Sequence, residues 1–123
     1  MISFRFFFSE SKKQEDIKDF ISFASEYLQL KNTPTVTFVK ERDENISTAN
    51  FNMATLEIKV YVKDRAKCDI CRSIAHELVH QKQLEETGGP LDGTTGSKHE
   101  DEANALAGRV IREYGKKYPD FYN

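Results

Sequence analysis

A chain of 123 residues has room for one hydrophobic core and no second one, since a single domain commonly spans about 100–150 residues. Hydrophobic residues at 38% exclude a disordered chain, and charged residues at 31% exclude a membrane bundle. The net charge of -2 offers no basic surface for a nucleic-acid backbone. We therefore expect a monomeric single domain over residues 1–123, with neither nucleic acid nor membrane as a partner.

Hydrophobic periodicity predicts a strand at the N-terminus and a helix after it. Apolar residues alternate with Ser3 and Arg5 over residues 2–8, and apolar residues recur at helical spacing from Ile17 to Leu28. Serines before the helix supply an N-cap, and Pro34 lies just beyond its end. The N-terminus lacks the long apolar run of a secretory signal, so we expect a cytoplasmic protein with reduced cysteines.

Three further strands and two helices complete the predicted order. Short strands are predicted around Val36–Phe38 and Phe51–Met53, and the clearest alternation runs over residues 55–63. Helices are predicted over about 69–86 and about 98–117, separated by a loop rich in glycine and threonine. The order β-α-β-β-β-α-α predicts an α+β fold, in which a mainly antiparallel sheet of three or four strands packs on the two later helices.

The first of these two helices carries the sequence His76-Glu77-Leu78-Val79-His80. Residues four apart lie one turn apart on the same helix face, so His76 and His80 can bind one metal ion. Glu77 lies about 100° round the helix from His76, where it can hold and deprotonate a water on that metal. The pattern predicts a zinc (Zn²⁺) site with Glu77 as general base.

A catalytic zinc site normally has three protein ligands, so a third ligand is expected from the next helix. The candidates at its start are His99, Glu100, Asp101 and Glu102. Glu100 lies on the face that carries small residues and permits close helix approach, so we expect it to be the third ligand. Glu102 points away from that face and His99 lies about 100° off it. Asn104, one turn beyond Glu100, can hydrogen-bond a ligand.

Four polar side chains near the motif are given no role. Cys68 and Cys71 form a Cys-x-x-Cys pattern, but no second pair exists to complete a four-thiolate zinc site. We interpret them as unpaired thiols at the start of a helix. Gln81 and Gln83 are interpreted as solvated helix positions.

The histidine motif, followed about twenty residues later by Glu-Asp-Glu-Ala-Asn at 100–104, resembles the gluzincin class of zinc metallopeptidases. Residues 55–110 are similar to small phage and prokaryotic members of that class. The resemblance implies a minimal zincin-like domain that hydrolyses peptide bonds in a peptide or protein substrate. It implies that His76, His80 and Glu100 bind zinc. It also implies that Glu77 is the general base and that Asn104 orients a ligand.

The resemblance also implies a substrate-binding strand and a transition-state donor. The strand over 55–63 is the candidate that adds an extended peptide to the sheet edge, with Tyr61 on its open face. The sequence does not choose among the candidate donors, which are His99, Tyr61, Tyr114, Tyr118 and Tyr122. The aromatic C-terminus is a candidate to fold back over the cleft.

The alternative function is a catalytically silent, zinc-containing protein-binding module, with His99 as a fourth protein ligand.

Overall fold

The computed structural model describes residues 3–5, 11–41, 48–88 and 97–122. Its strands are β1 (Ser3–Arg5), β2 (Thr35–Val39), β3 (Ala49–Asn52) and β4 (Glu57–Tyr61). Its helices are α1 (Ser11–Tyr27), α2 (Lys67–Thr87), α3 (Lys98–Lys117) and a final 3-10 turn at Pro119–Tyr122. The predicted α+β class and element order are confirmed. The predicted strand residues 2 and 6–8 lie outside the described residues.

The sheet is mixed, so the prediction of a mainly antiparallel sheet is wrong. Its four strands lie in the order β1-β2-β4-β3; β1 is parallel to β2, β2 is parallel to β4, and β3 alone is antiparallel to its neighbour β4. Helix α1 connects β1 to β2, and a crossover through a helix makes such strands parallel. Alternation in a sequence indicates which face of a strand is buried, but it does not indicate which strands are neighbours.

This strand order also changes which strand lies at the edge of the sheet. β4, the strand predicted to bind substrate at an open edge, has β2 on one side and β3 on the other. β3 is the outer strand and joins β4 through a tight turn, in which the Asn52 side chain accepts hydrogen bonds from the N–H groups of Ala54 and Thr55. The predicted edge position of β4 is therefore wrong, and β3 occupies it.

The hydrogen-bond pattern between β3 and β4 leaves some backbone N–H and C=O groups of β3 pointing outward. The Tyr61 N–H donates to the Thr48 carbonyl at 2.9 Å, which makes these opposite residues a hydrogen-bonded pair. In an antiparallel ladder such pairs alternate, so Asn50 bonds to β4 whereas Ala49 and Phe51 do not. The backbone N–H and C=O groups of Ala49 and Phe51 therefore point away from the sheet.

Helix α2 is the centre of the core. It packs against β3 and β4 on one side and against α1 and α3 on the others, which explains why it is buried on several faces. The larger fully buried aliphatic side chains of α2 are Ile70, Ile74, Leu78 and Val79. Opposite them lie Ile58 and Val60 of β4, while small Ala103 and Ala107 bring α3 close to α2. A rigid, buried helix thus carries the histidine motif.

Two contacts at the periphery hold the helices in place. The Glu85 carboxylate on α2 accepts hydrogen bonds from the backbone N–H groups of Lys31 and Asn32, each at 2.8 Å. Burial acts to raise the pKa of Glu85, but these hydrogen bonds outweigh it and lower that pKa. At the C-terminus, Phe121 is buried against Phe20 of α1 and Tyr114 of α3.

None of the described helices combines the length and the apolar character that crossing a membrane requires.

Candidate metal centre

The ends of α2 explain why the histidine motif lies in its interior. The helix begins at Lys67 after Ala66, which has an extended backbone. It ends at Gly88, whose φ of 67° lies in the left-handed region that favours glycine, and the Gly88 N–H closes the last turn on the Leu84 carbonyl. His76 and His80 are therefore at least seven residues from either end, where the backbone is fully hydrogen-bonded.

The start of α3 sets the position of Glu100. The Ser97 side chain accepts a hydrogen bond from the Glu100 N–H at 3.2 Å, so Ser97 is the N-cap and Glu100 is the third residue of the helix. Serine at the cap and glutamate three residues later is the sequence pattern of a helix N-terminus. The cap directs α3 so that the Glu100 carboxylate faces α2.

The structure brings the three predicted ligands together. The Nε2 atoms of His76 and His80 are 3.2 Å apart, and the two Glu100 carboxylate oxygens lie 3.2 Å from His76 Nε2 and 2.6 Å from His80 Nε2. One ligand atom from each residue lies within 4.8 Å of the others. Two imidazole nitrogens and a carboxylate oxygen are a donor set that suits zinc. This group can hold a metal ion.

Glu77 lies beside the group in the same opening of the surface. The opening has a volume of about 270 Å³. It is lined by Ala49, Asn50, Phe51, Met53, His76, Glu77, His80 and Glu100. Burial raises the pKa of the Glu77 carboxyl, and the nearby charge of Glu100 raises it further. Interaction with His80 and His76 lowers that pKa, but burial outweighs it, so the pKa of Glu77 lies above its ordinary value. Burial thus makes the Glu77 carboxyl a better proton acceptor than an exposed glutamate.

A buried amide that the sequence analysis left without a role supports the group. Gln83 is only 4% exposed, and its Oε1 lies 2.8 Å from His80 Nδ1. Its Nε2 donates to the His99 carbonyl at 2.9 Å and to the Glu102 carboxylate at 2.8 Å. Gln81 is buried too, so the interpretation of both glutamines as solvated is wrong. The burial of Gln83 could not be predicted from its position on α2, because the first turn of α3 is what covers it.

Asn104 is exposed. Its assignment as an amide that hydrogen-bonds a ligand stays a prediction. Glu102 is exposed as predicted, yet its carboxylate reaches Gln83.

Two candidate transition-state donors, Tyr61 and His99, are not among the described residues that line the opening. Tyr61 ends β4, where its carbonyl accepts a hydrogen bond from Arg65, and His99 is partly buried in the first turn of α3. The assignment of a donor to either residue stays a prediction.

The two cysteines are free thiols at the start of α2. Burial raises the pKa of the Cys68 thiol and raises that of Cys71 much further. A raised pKa keeps a thiol protonated, and a protonated thiol is a poor metal ligand. Within the described part of the chain, the group that can hold a metal contains neither cysteine.

Comparison with known proteins gives a likeness of fold. No family model matches the sequence, and no curated protein matches it. Among solved structures, a Wss1 mutant from Saccharomyces cerevisiae is similar to this chain, with a TM-score of 0.61 and 13% sequence identity. The match covers 95% of this chain and 93% of the Wss1 chain. At this identity, the likeness concerns the fold alone.

Proposed function

We propose that this protein is a zinc-dependent metallopeptidase that hydrolyses peptide bonds with Glu77 as general base. The observation that carries the proposal is the convergence of His76, His80 and Glu100, with the Glu77 carboxyl in the same opening. The gluzincin-like sequence motifs support it, because they contain the same residues.

The donor atoms fit zinc in number and in kind. Three protein ligands are typical of catalytic zinc, since they leave one coordination position open. Zinc bound there would lower the pKa of a water molecule and polarise a substrate carbonyl. The Glu100 carboxylate supplies one negative charge to offset the charge of the ion, and the two imidazoles bind in their neutral form.

The role of Glu77 follows from its position on α2. It is adjacent to His76 but directed about 100° round the helix, so it faces the opening without joining the three ligands. Its carboxylate accepts the proton of the attacking water and then delivers that proton to the leaving amine. The raised pKa that burial gives Glu77 suits this exchange.

The strand β3 is the surface on which the substrate chain binds. The outward N–H and C=O groups of Ala49 and Phe51 border the opening, and an extended peptide can pair with them as an additional strand. Met53, which is 44% exposed, lines the same opening and offers a flexible apolar contact to a substrate side chain. Selectivity then comes from the sheet edge, because the opening itself is small.

The test replaces the base and leaves the ligands in place. Glu77→Gln should retain one zinc per chain, measured by metal analysis, and lose hydrolysis of a peptide library by a factor of about 10²–10⁴, the usual contribution of general acid–base catalysis. Glu86→Gln is the matched control, since Glu86 is on the same helix but pairs only with Lys82 among its described partners. The control should keep full activity.

Two results would contradict the proposal. Full hydrolysis by Glu77→Gln would exclude Glu77 as the base. Absence of hydrolysis in the zinc-loaded parent protein over the whole library would favour the zinc-containing binding module instead.

A further inference from the structure

Gln83 makes three hydrogen bonds that join His80 of α2 to the first turn of α3. Its Oε1 meets His80 Nδ1, while its Nε2 meets the His99 carbonyl and the Glu102 carboxylate. The side chain is almost completely buried, at 4% exposure, so water does not replace these partners.

The chemistry of these partners fixes the orientation of the amide. A carbonyl oxygen and a carboxylate oxygen only accept hydrogen bonds, so both require the amide NH₂ group of Gln83. The amide oxygen must then face His80, and a carbonyl-type oxygen only accepts. His80 Nδ1 is therefore the donor, and a neutral His80 ring has an unprotonated Nε2 directed at His76 and Glu100.

We propose that Gln83 is a positioning residue that holds His80 in its metal-binding tautomer and couples that histidine to the docking of α3. The coupling to α3 follows because the same amide donates hydrogen bonds to the first turn of α3, where Glu100 lies. Gln83 therefore orders two of the three ligands, which come from different helices. The proposal rests on the metal site of the proposed function and does not depend on hydrolysis.

The chain offers a matched control for Gln83 in Gln81. Both are glutamines on α2, and Gln81 is 1% exposed. The Gln81 Nε2 donates to the Asn32 carbonyl at 2.8 Å and to the Glu85 carboxylate, so these two bonds lead to the loop after α1 and to α2 itself, and not to the metal site. Loss of a buried amide can therefore be separated from loss of the bond to His80.

The experiment compares zinc affinity in Gln83→Met and Gln81→Met, measured by competition with a chromophoric chelator near neutral pH. Methionine keeps the length of the side chain and removes the hydrogen bonds. We expect Gln83→Met to bind zinc about 10–100-fold more weakly, the usual effect of losing a partner of a ligating histidine. Gln81→Met should stay within about twofold of the parent protein, because the described contacts of Gln81 do not include a ligand.

A spectroscopic readout follows the bond between Gln83 and His80 in the zinc-loaded protein. Heteronuclear NMR of the histidine rings detects the Nδ1 proton of His80. In the parent this proton should exchange slowly with solvent, because a buried amide oxygen accepts it. In Gln83→Met it should exchange faster, while Gln81→Met should resemble the parent.

An exchange of charge between Gln83 and Glu102 keeps the proposal testable if Gln83→Met fails to fold. Gln83→Glu alone retains an acceptor for His80 but sets a carboxylate against Glu102 and the His99 carbonyl, so zinc binding should weaken. Adding Glu102→Gln restores a donor between the two residues and should recover part of the affinity, while the His99 carbonyl still faces a carboxylate.

The outcomes separate this inference from the proposed function. If the parent protein binds no zinc, the proposed function and this inference both fail. If the parent binds zinc and Gln83→Met binds it equally well, or Gln81→Met loses as much affinity, the inference alone is overturned. A double exchange that binds no better than Gln83→Glu also overturns it.

Discussion

The C-terminal turn is expected to act as part of the core, and Phe121→Ala tests this. Phe121 is 4% exposed; its ring centroid lies 5.9 Å from that of Phe20 in a stacked arrangement and 4.9 Å from that of Tyr114 edge-on. Lys67, at the start of α2, lies 5.6 Å from the ring. His76 is nine residues further along α2, about 14 Å away along the helix axis. Phe121 therefore packs away from the metal site, whereas the sequence makes the C-terminus a candidate to fold back over the cleft.

The cost of the substitution can be estimated from burial. A phenylalanine side chain of about 200 Å² at about 25 cal/mol per Å² gives an upper bound of about 5 kcal/mol. A compact unfolded state reduces that bound to about 3–4 kcal/mol, within the range measured for Phe→Ala in cores. For a chain of this size, about 3 kcal/mol lowers the Tm by about 9–15 °C.

Thermal and urea denaturation followed by circular dichroism measure this loss. Tyr118→Ala is the control, because Tyr118 is 46% exposed although it contacts the same Tyr114 ring, and it should lower the Tm by no more than about 4 °C. The zinc affinity of folded Phe121→Ala protein should equal that of the parent. A Tm within about 2 °C of the parent, or a several-fold rise in peptide hydrolysis, would refute the core role and favour a covering segment.

The remaining predictions concern the edge strand, acid stability and metal binding. Ala49→Pro should raise KM for peptides by about tenfold with little loss of stability, whereas Asn50→Pro should unfold the hairpin, because the Asn50 N–H bonds to β4 and the Ala49 N–H does not. Equal KM in Ala49→Pro and parent would count against substrate pairing with β3. The folded pKa of Glu85 is lowered, so its stabilisation is present above its ordinary value of 4.5 and disappears as pH falls through the lowered pKa. The difference in unfolding free energy between parent and Glu85→Gln should accordingly shrink below pH 4.5, and a difference independent of pH would contradict this. Zinc at about 100 times its Kd should stabilise the parent by about 2.7 kcal/mol, and this gain should vanish in His80→Ala.

More of the metal site than of the sheet could be predicted from the sequence. His76 and His80 are one helical turn apart, so their proximity depends only on local periodicity, and Glu100 is expected from the face of its helix that carries small residues. The order of the strands depends on long-range pairing that alternation does not encode, so the sequence could not show that β3 covers the edge of β4.

The error about Gln83 has a related cause. Gln83 is buried because its amide lies against the first turn of α3. This burial depends on how two helices dock, a property of the pair that neither helix sequence shows alone.

X-ray absorption spectroscopy of the zinc-loaded protein tests the central claim most directly, because it reports the atoms bound to the metal. The account predicts nitrogen and oxygen neighbours at about 2.0–2.2 Å, with the multiple scattering of two imidazole rings and one light-atom position filled by solvent. A sulfur neighbour at about 2.3 Å, or the scattering of three imidazoles, would contradict the assignment of His76, His80 and Glu100 as the ligands.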